Sequence, residues 1–449
     1  SKPVALVTYS SNDNATCETN DASCSKFKKA GEEFALKVKA ACWQEDGDTD
    51  LTNNPATPNF ILNSIPTTHS LIAPAEGTVG NLSLASFDLA SSDNGEKTIS
   101  QSVSEVGVFT FSTIPPNYLD ESLTAVTSPS IGRFYPDHFE VTTKSNGDFT
   151  NSCGTFTYSG QDLYYGAAPE LTVSAFTKPT TALPASITQN YTSDFAKLTS
   201  TDFTVTTPTS DATQVGANGS AKVRLDWTPE AAVLTDNKNG SITFTFANDK
   251  YNYRHETNSV VGEFTNAVDL TFAAITDSDA VSTIDLPQVL QPSGANIRFG
   301  RIEIADNHGS ELAPLSVDIT AEYFNGFNWI TNSADQCTTL NLSSDIRLKV
   351  TDGVWSKGTT GMPIGNGTTS VTIENNAPLS FGEARLNLSA PGEDNEGFID
   401  IRSRISGLRQ PWLLGDYDND GNFDDEAIGR ASFGLFKGSD AIIFRRELY

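Results

Sequence analysis

The residues best suited to chemistry lie near the end of the chain, where Asp416, Asp418 and Asp420 occupy every second position and are followed by Gly421, Asn422, Asp424 and Asp425. Ca2+ takes about six to eight hard oxygens at about 2.3–2.6 Å, and alternating aspartates in a tight loop can turn inward together while a glycine permits the sharp bend. The carboxylates of Asp416, Asp418, Asp420, Asp424 and Asp425, with the backbone carbonyl of Asn422, are therefore candidate Ca2+ ligands. A helix-flanked loop would carry a bidentate Glu at its twelfth position, which here is Ala427. The flanks Trp412-Leu413-Leu414 and Ser432-Phe433-Gly434-Leu435-Phe436 read as extended. The spacing thus predicts a calcium loop between strands. The alternative is a solvated acidic turn, but such dense carboxylates repel one another unless a cation neutralises them.

Other candidates are weaker. Glu45-Asp46-Gly47-Asp48-Thr49-Asp50 is less regularly spaced and reads as a solvated loop, and Glu393-Asp394-Asn395-Glu396 could add a ligand to the Asp416 site. The histidines are His69, His138, His255 and His308, and none stands in a metal-binding or nucleophile motif. Asp306-Asn307-His308-Gly309-Ser310-Glu311 gathers catalytic residue types but reads as a turn between strands. No enzyme is expected. Trp43, Trp227, Trp329, Trp355 and Trp412 could stack on a sugar, although core packing is the commoner use of tryptophan in a sandwich.

The elements that position these residues are strands. The 449 residues suggest about three domains. Short runs of Val, Ile, Thr and Phe recur near ten-residue spacing between turns such as Asp93-Asn94-Gly95, Asn239-Gly240 and Asn366-Gly367. Leu315-x-Val317-x-Ile319-x-Ala321-x-Tyr323 alternates cleanly, placing one side-chain face on a core and the other in water. The expected fold is all-β, a tandem of immunoglobulin-like antiparallel β-sandwich modules.

A repeat sets the modules. Cys24-x-x-Phe27 followed by Leu36-x-Val38-x-Ala40 returns as Cys153-x-x-Phe156 followed by Leu171-x-Val173-x-Ala175, each proceeding to Asn59-Phe60 or Asn190-Tyr191. Gly107-Val-Phe109-Thr-Phe111 matches Ile242-Thr-Phe244-Thr-Phe246 in pattern, and Gly132-Arg133-Phe134 resembles Phe299-Gly300-Arg301. These markers divide the chain into 1–130, 131–296 and 297–449. The abrupt start at Ser1-Lys2-Pro3-Val4 suggests part of a longer or processed protein.

With 56 acidic against 29 basic residues the net charge is −27, which repels nucleic acid and anionic lipid. No apolar run is long enough to embed the chain in a membrane. Any signal peptide is expected to have been removed or to lie outside these residues. Of Cys17, Cys24, Cys42, Cys153 and Cys337, three fall in the first 42 residues, suggesting a local disulfide and an oxidising setting, and the odd count leaves at least one thiol or one bond to another chain.

Several segments together carry a resemblance: the Cys-x-x-Phe-x-x-Ser-Gly-Gln segment, Phe299-Gly300-Arg301 through Asn307-His308-Gly309-Ser310-Glu311-Leu312, Asp335-Gln336-Cys337-Thr338, Leu379-Ser380 to Ala390-Pro391-Gly392, and Ala431-Ser432-Phe433-Gly434 to Arg446-Glu447. This combination resembles the C-terminal region of MshQ-type proteins, which are associated with the mannose-sensitive haemagglutinin (MSHA) type IV pilus of Gram-negative marine bacteria. The resemblance implies a non-enzymatic protein of the extracellular face of a Gram-negative cell, a stalk or tip component of an adhesive appendage. Its partners would be other pilus or appendage proteins, with a glycan, host or abiotic surface as the adhesive target. The rival readings are a filament subunit, in which edge strands at Pro3 to Tyr9 and Ala441 to Arg446 pair between copies, and a polysaccharide-binding or polysaccharide-active protein.

Overall fold

The computed structural model describes residues 3–434 apart from 13, 212, 215–221, 351, 359–360 and 407–408. The edge strand expected at 441–446 and the flanking Leu435 and Phe436 lie outside the described residues. Among those described, the only α-helix is the single turn Leu342–Asp345, and apart from the short 3-10 turns at Ser91–Asp93, Ser193–Phe195, Ser200–Asp202 and Pro411–Leu413 the rest is strands, turns and loops. Among the described residues no helix is long and apolar enough to cross a membrane.

The architecture is all-β and repeats one sandwich plan along the chain. In the first sandwich the sheet ordered Glu96–Gln101, Phe34–Cys42, Pro3–Ser10, Thr124–Val126 packs on the sheet ordered Ser86–Leu89, Leu62–Ala73, Gly107–Thr113, Ile131–Phe134. Leu36, Val38 and Ala40 point into a core completed by Phe60, Phe109, Phe111 and Phe134, as alternation demands. The second sandwich opposes the sheet Val233–Asp236, Ser241–Thr245, Glu170–Phe176, His138–Ser145 to a mixed layer that includes Leu270–Ile275 and Ser293–Arg298. The third opposes Gly300–Ile304, Leu315–Phe324, Glu383–Leu388 and Val371–Glu374 to Asn307–Gly309, Ile428–Phe433, Gly397–Ser403, Ile346–Val350 and Ser356–Lys357.

One hydrogen-bonded corner is built three times. The Ala40 amide donates to the Gly95 carbonyl at 2.8 Å, and the Thr57 amide returns to the Ala40 carbonyl at 2.8 Å. Ala175, Gly240 and Thr188 repeat this at 3.0 and 2.9 Å, and Ala321, Gly382 and Asn332 at 2.8 and 2.7 Å. The glycines have φ of 79°, 82° and 76°, and a Cβ on each would stand 2.1, 2.1 and 2.4 Å from the carbonyl oxygen of Thr57, Thr188 and Asn332. Only glycine meets both the left-handed backbone and the close approach.

This corner corrects two expectations. Ser241–Thr245, which contains Phe244, occupies the place of Glu96–Gln101; Gly107–Thr113, with Phe109 and Phe111, belongs instead to the opposite sheet of the first sandwich. Alternating aromatics mark any half-buried strand, whichever sheet holds it. Pro3–Ser10 is also not an edge strand, because Thr124–Val126 pairs with it in parallel at Ala5 to Val7, on the side away from Phe34–Cys42.

The sandwiches are not joined by free linkers. The Arg133 guanidinium reaches from the end of the first sandwich to Asp279 of the second, and the Lys178 amide donates to the Ala30 carbonyl at 2.8 Å. Between second and third, Cys153 is disulfide-bonded to Cys337, and the Tyr158 hydroxyl donates to Asp335 at 2.8 Å. Cys153, Phe156 and Tyr158 thereby enter the core of the third sandwich. Cys17 pairs locally with Cys24, and Cys42 stands outside both bridges with its thiol against the Ala56 carbonyl.

Candidate metal centre

The acidic loop grows from a pinched base. Gly415 and Asp425 exchange backbone hydrogen bonds of 3.0 and 2.8 Å, as a one-residue antiparallel bridge. Buried Leu413 precedes the loop and buried Ala427 follows it, so the two ends are anchored in the core of the third sandwich while Asp418, Asn419, Asp420, Gly421 and Asp424 stand in solvent. Ala427 at the twelfth position is thus a core residue.

Inside the loop, backbone amides draw carboxylates inward. Tyr417 and Asp418 amides donate to Asp425 Oδ2 at 3.0 and 3.1 Å; those of Asp420 and Gly421 donate to Asp416 at 3.1 and 3.2 Å. Asn419 and Gly421 take φ of 61° and 87°, the left-handed region that Asn and Gly enter most readily. Asp416, Asp418 and Asp425 each bring one oxygen within 4.8 Å of the other two. An ion about 2.3–2.6 Å from every oxygen requires them to lie within about 5 Å of one another, so this all-oxygen set fits Ca2+.

The other three candidates are placed differently. Asp420 accepts from the Asn422 amide at 2.8 Å and from its side chain at 3.0 Å, contacts that hold its pKa below the usual range. The Asn422 side chain is thereby engaged, and Asp424 is exposed outside the convergent trio. Glu426 accepts from Ser403 Oγ and the amides of Ile405 and Ser406 at 2.8, 2.9 and 3.0 Å. The amide of Asp420 holds the pKa of Asp418 down, but desolvation and the charges of Asp420, Asp425 and Asp416 outweigh it, leaving this carboxyl above the ordinary range. Like-charge crowding of that kind is what a bound cation relieves.

Sequence reasoning missed the anchor of the loop, Phe423. Its amide donates to the Thr257 carbonyl of the second sandwich at 2.5 Å, and its ring meets Phe299 edge-on, with centroids 5.5 Å apart, and lies against Trp329. His255 stacks on the opposite partner, Phe299, at 4.0 Å, and burial pushes its pKa down to about 4. The loop therefore bridges the second and third sandwiches. An apolar ring in an otherwise polar stretch, between Asn422 and Asp424, was the available signal.

Elsewhere, Asp48 and Asp50 are taken up by Asn54 and Thr52, and the Asn395 side chain by the carbonyls of Pro391, Gly392 and Glu393. His308 is exposed on the short strand Asn307–Gly309, which pairs in parallel with Ile428–Phe433. Trp227 donates to Asp249 at 2.8 Å, while Trp43 and Trp355 are 56% and 37% exposed.

Residues 2–100, 105–300 and 298–448 match the second, third and fourth domains of DUF6701. No curated protein matches. Among solved structures, invasin, a bacterial integrin-binding protein, is similar at a TM-score of 0.22 and 8% identity, over 89% of this chain and 56% of that one. A marsupial T cell receptor is similar at a TM-score of 0.20 and 8% identity, over 90% of this chain and 97% of that one.

Proposed function

From a chain that belongs to the DUF6701 family, carrying its second, third and fourth domains in tandem, we propose a non-enzymatic stalk of an extracellular adhesive appendage, clipped by calcium. The observation that carries the reading is the construction of the joints. Each is bonded across by side chains and backbone, the second also by the Cys153–Cys337 disulfide, and the acidic loop sits astride that second joint through Phe423 and Thr257. Such joints transmit load where a Gly- or Pro-rich linker would swing. Disulfides persist outside the cell, and the −27 charge suits a surface that meets divalent cations there.

The assignment to an appendage of the MSHA type IV pilus kind rests on the motif combination from Phe299 to the end, and the partners are then other proteins of that appendage. Asp416, Asp418 and Asp425 hold the ion, and its chemistry is to neutralise their charge and stiffen the loop.

Stretching single molecules tethered at both ends, in calcium and then in chelator, tests the proposal. Under reducing conditions one unfolding event per sandwich is expected, with the third weakened by chelator, whereas the intact Cys153–Cys337 disulfide shields residues 154–336 from the load. Low-force separation of the sandwiches, or identical traces in both buffers, would count against it.

A further inference from the structure

Three cations stand in a row across neighbouring strands of the third sandwich. Gly397–Ser403 pairs with Ile346–Val350 so that Arg402 faces Arg347, and Ser356–Lys357 pairs with the other side so that Lys357 faces Arg347. Leu348 and Ile401, on alternate positions, are buried, which puts the cations on the solvent face. Directly opposite side chains have Cβ atoms about 4.5–5.5 Å apart, and like charges placed so repel. In a chain of net charge −27 this crowding is against the average.

The charges of Asp345 and Glu426 act on Arg347, and Glu426 lines part of the face, but the nearby carboxylates are bonded elsewhere. Asp345 is paired with Arg409 at 2.7 Å, Asp400 with Arg430 at 2.6 Å, and Glu426 holds the turn at Ser403 to Ser406. Among the described residues none forms an ion pair with Arg347, Lys357, Arg402 or Arg404. Burial, and then the charge of Arg404, hold the pKa of Arg347 below the usual arginine range.

Two adjoining cavities open on this face. One of about 430 Å³ is lined by Ser343, Ser344, Arg347, Lys357 and Arg404; the other, of about 340 Å³, continues from Arg347 to Arg402 and Trp355. Both are of the size that small ligands occupy. The Trp355 ring is flanked by Lys349 Nζ at 5.9 Å and Arg402 Cζ at 6.0 Å.

We propose that this face binds an acidic saccharide bearing sulfate or carboxylate groups, with a sugar ring stacked on Trp355 and the anionic groups held by Arg347, Arg402, Arg404 and Lys357. Planar guanidinium forks match oxyanions in bidentate fashion, the serine hydroxyls complement sugar hydroxyls, and an aromatic face accepts the apolar side of a pyranose. A long duplex polyanion would meet the repelling acidic remainder of the chain, whereas a short saccharide meets only the patch. The site is separate from the calcium trio, although Glu426 adjoins both.

Titration calorimetry with the full chain tests this, using a heparin-derived sulfated tetrasaccharide, a uronate tetrasaccharide, maltotetraose, inorganic sulfate and vesicles containing phosphatidylglycerol, each in calcium and in chelator. At least one acidic tetrasaccharide should bind where maltotetraose does not, with affinity falling as salt rises. The double variant R347Q/R402Q should lose roughly tenfold for each arginine removed. Its thermal midpoint should stay close to that of the parent, since the relieved repulsion offsets the loss of the Arg347 Nη1 bonds to the carbonyls of Ser343, Ser344 and Ile346. Trp355→Ala should weaken the saccharide and leave inorganic sulfate unchanged. Binding that survives R347Q/R402Q, equal binding of maltotetraose, or binding to vesicles without saccharide binding would overturn the proposal. Saccharide binding in chelator would uphold it even if the calcium reading fails.

Discussion

Both carboxylate oxygens of Asp279 accept from the Arg133 guanidinium, each at 2.6 Å, and this pair ties the second sandwich to the first with side chains only 11% and 5% exposed. The arginine also donates from Nε to the Cys24 carbonyl at 3.0 Å, so its charge is fully engaged only while Asp279 is present. Removing one partner strands the other charge out of water, at about 3–5 kcal/mol. Asp279→Ala should lower stability by that order in urea unfolding and split a joint transition of the first two sandwiches into separate ones. Arg133→Met combined with Asp279→Leu should recover most of the loss.

The glycine corners make a graded prediction. At Gly95, Gly240 and Gly382 an alanine meets both left-handed strain and a backbone oxygen within 2.1–2.4 Å, so at least about 2 kcal/mol should be lost at each. Gly421 has a similar φ of 87° but open space around the missing Cβ. Gly421→Ala should cost only about 1–2 kcal/mol, the conformational part alone. Thermal melts of the four variants separate the two contributions.

Calcium should raise the thermal midpoint of the chain and chelator should reverse it. Binding to the folded state alone adds about 2.7 kcal/mol at a hundredfold excess over Kd. The geometry makes the prediction residue-specific, because Asp416, Asp418 and Asp425 converge whereas Asp424 does not. Asp418→Ala or Asp425→Ala should abolish the calcium response in calorimetry, and Asp424→Ala should keep it.

Glu105 governs a pH dependence at the first joint. Burial, opposed by the amides of Asn190 and Gln189 that donate to it at 3.2 Å, raises its pKa from 4.5 to about 7. The folded state therefore holds the proton more tightly than the unfolded chain. This contribution to stability is greatest below pH 4.5, declines between 4.5 and 7, and is flat above, a total of about 3 kcal/mol. Other carboxylates titrate in part of this window, so the difference between the parent and Glu105→Gln isolates the group. That difference should change between pH 4.5 and 7 and be constant from pH 7 to 9.

Alternation and turn chemistry made the strands legible, because Leu36, Val38 and Ala40, like Leu171, Val173 and Ala175, carry their burial in their spacing. The acidic loop was legible for the same reason, and Asp416 and Asp418 converge as their two-residue interval suggests. Asp420 does not, since Asn422 two positions on offers it local donors. What stayed hidden depends on register between distant strands. Nothing local says that Arg347 faces Arg402 on one side and Lys357 on the other, or that Phe423 reaches Thr257. The third glycine corner was equally obscure, because Asn332 replaces the threonine of the first two.

The Cys153–Cys337 bridge gives the sharpest test of how the second joint is held. It spans 184 residues, and closing so long a loop restricts the unfolded chain strongly, while loss of a native disulfide generally costs about 2–5 kcal/mol. Cys153 lies fully buried beside Asp335, which also accepts from Tyr158 Oη and from the amides of Cys337 and Thr338 at 2.8, 3.0 and 2.8 Å. Reduction therefore removes the covalent tie but leaves this polar knot. Cys337→Ser should lower the unfolding midpoint of the second and third sandwiches together while preserving their mutual contact, read by hydrogen exchange at the Cys337 and Thr338 amides. Tyr158→Phe in the same background removes the hydroxyl that both donates to Asp335 and accepts from Asn332 at 2.7 Å. Those amides should then exchange at least about tenfold faster, the factor that about 1.4 kcal/mol of lost bonding represents. Equal protection in both variants would mean that packing of Phe156 and Leu413, rather than the knot, holds the joint.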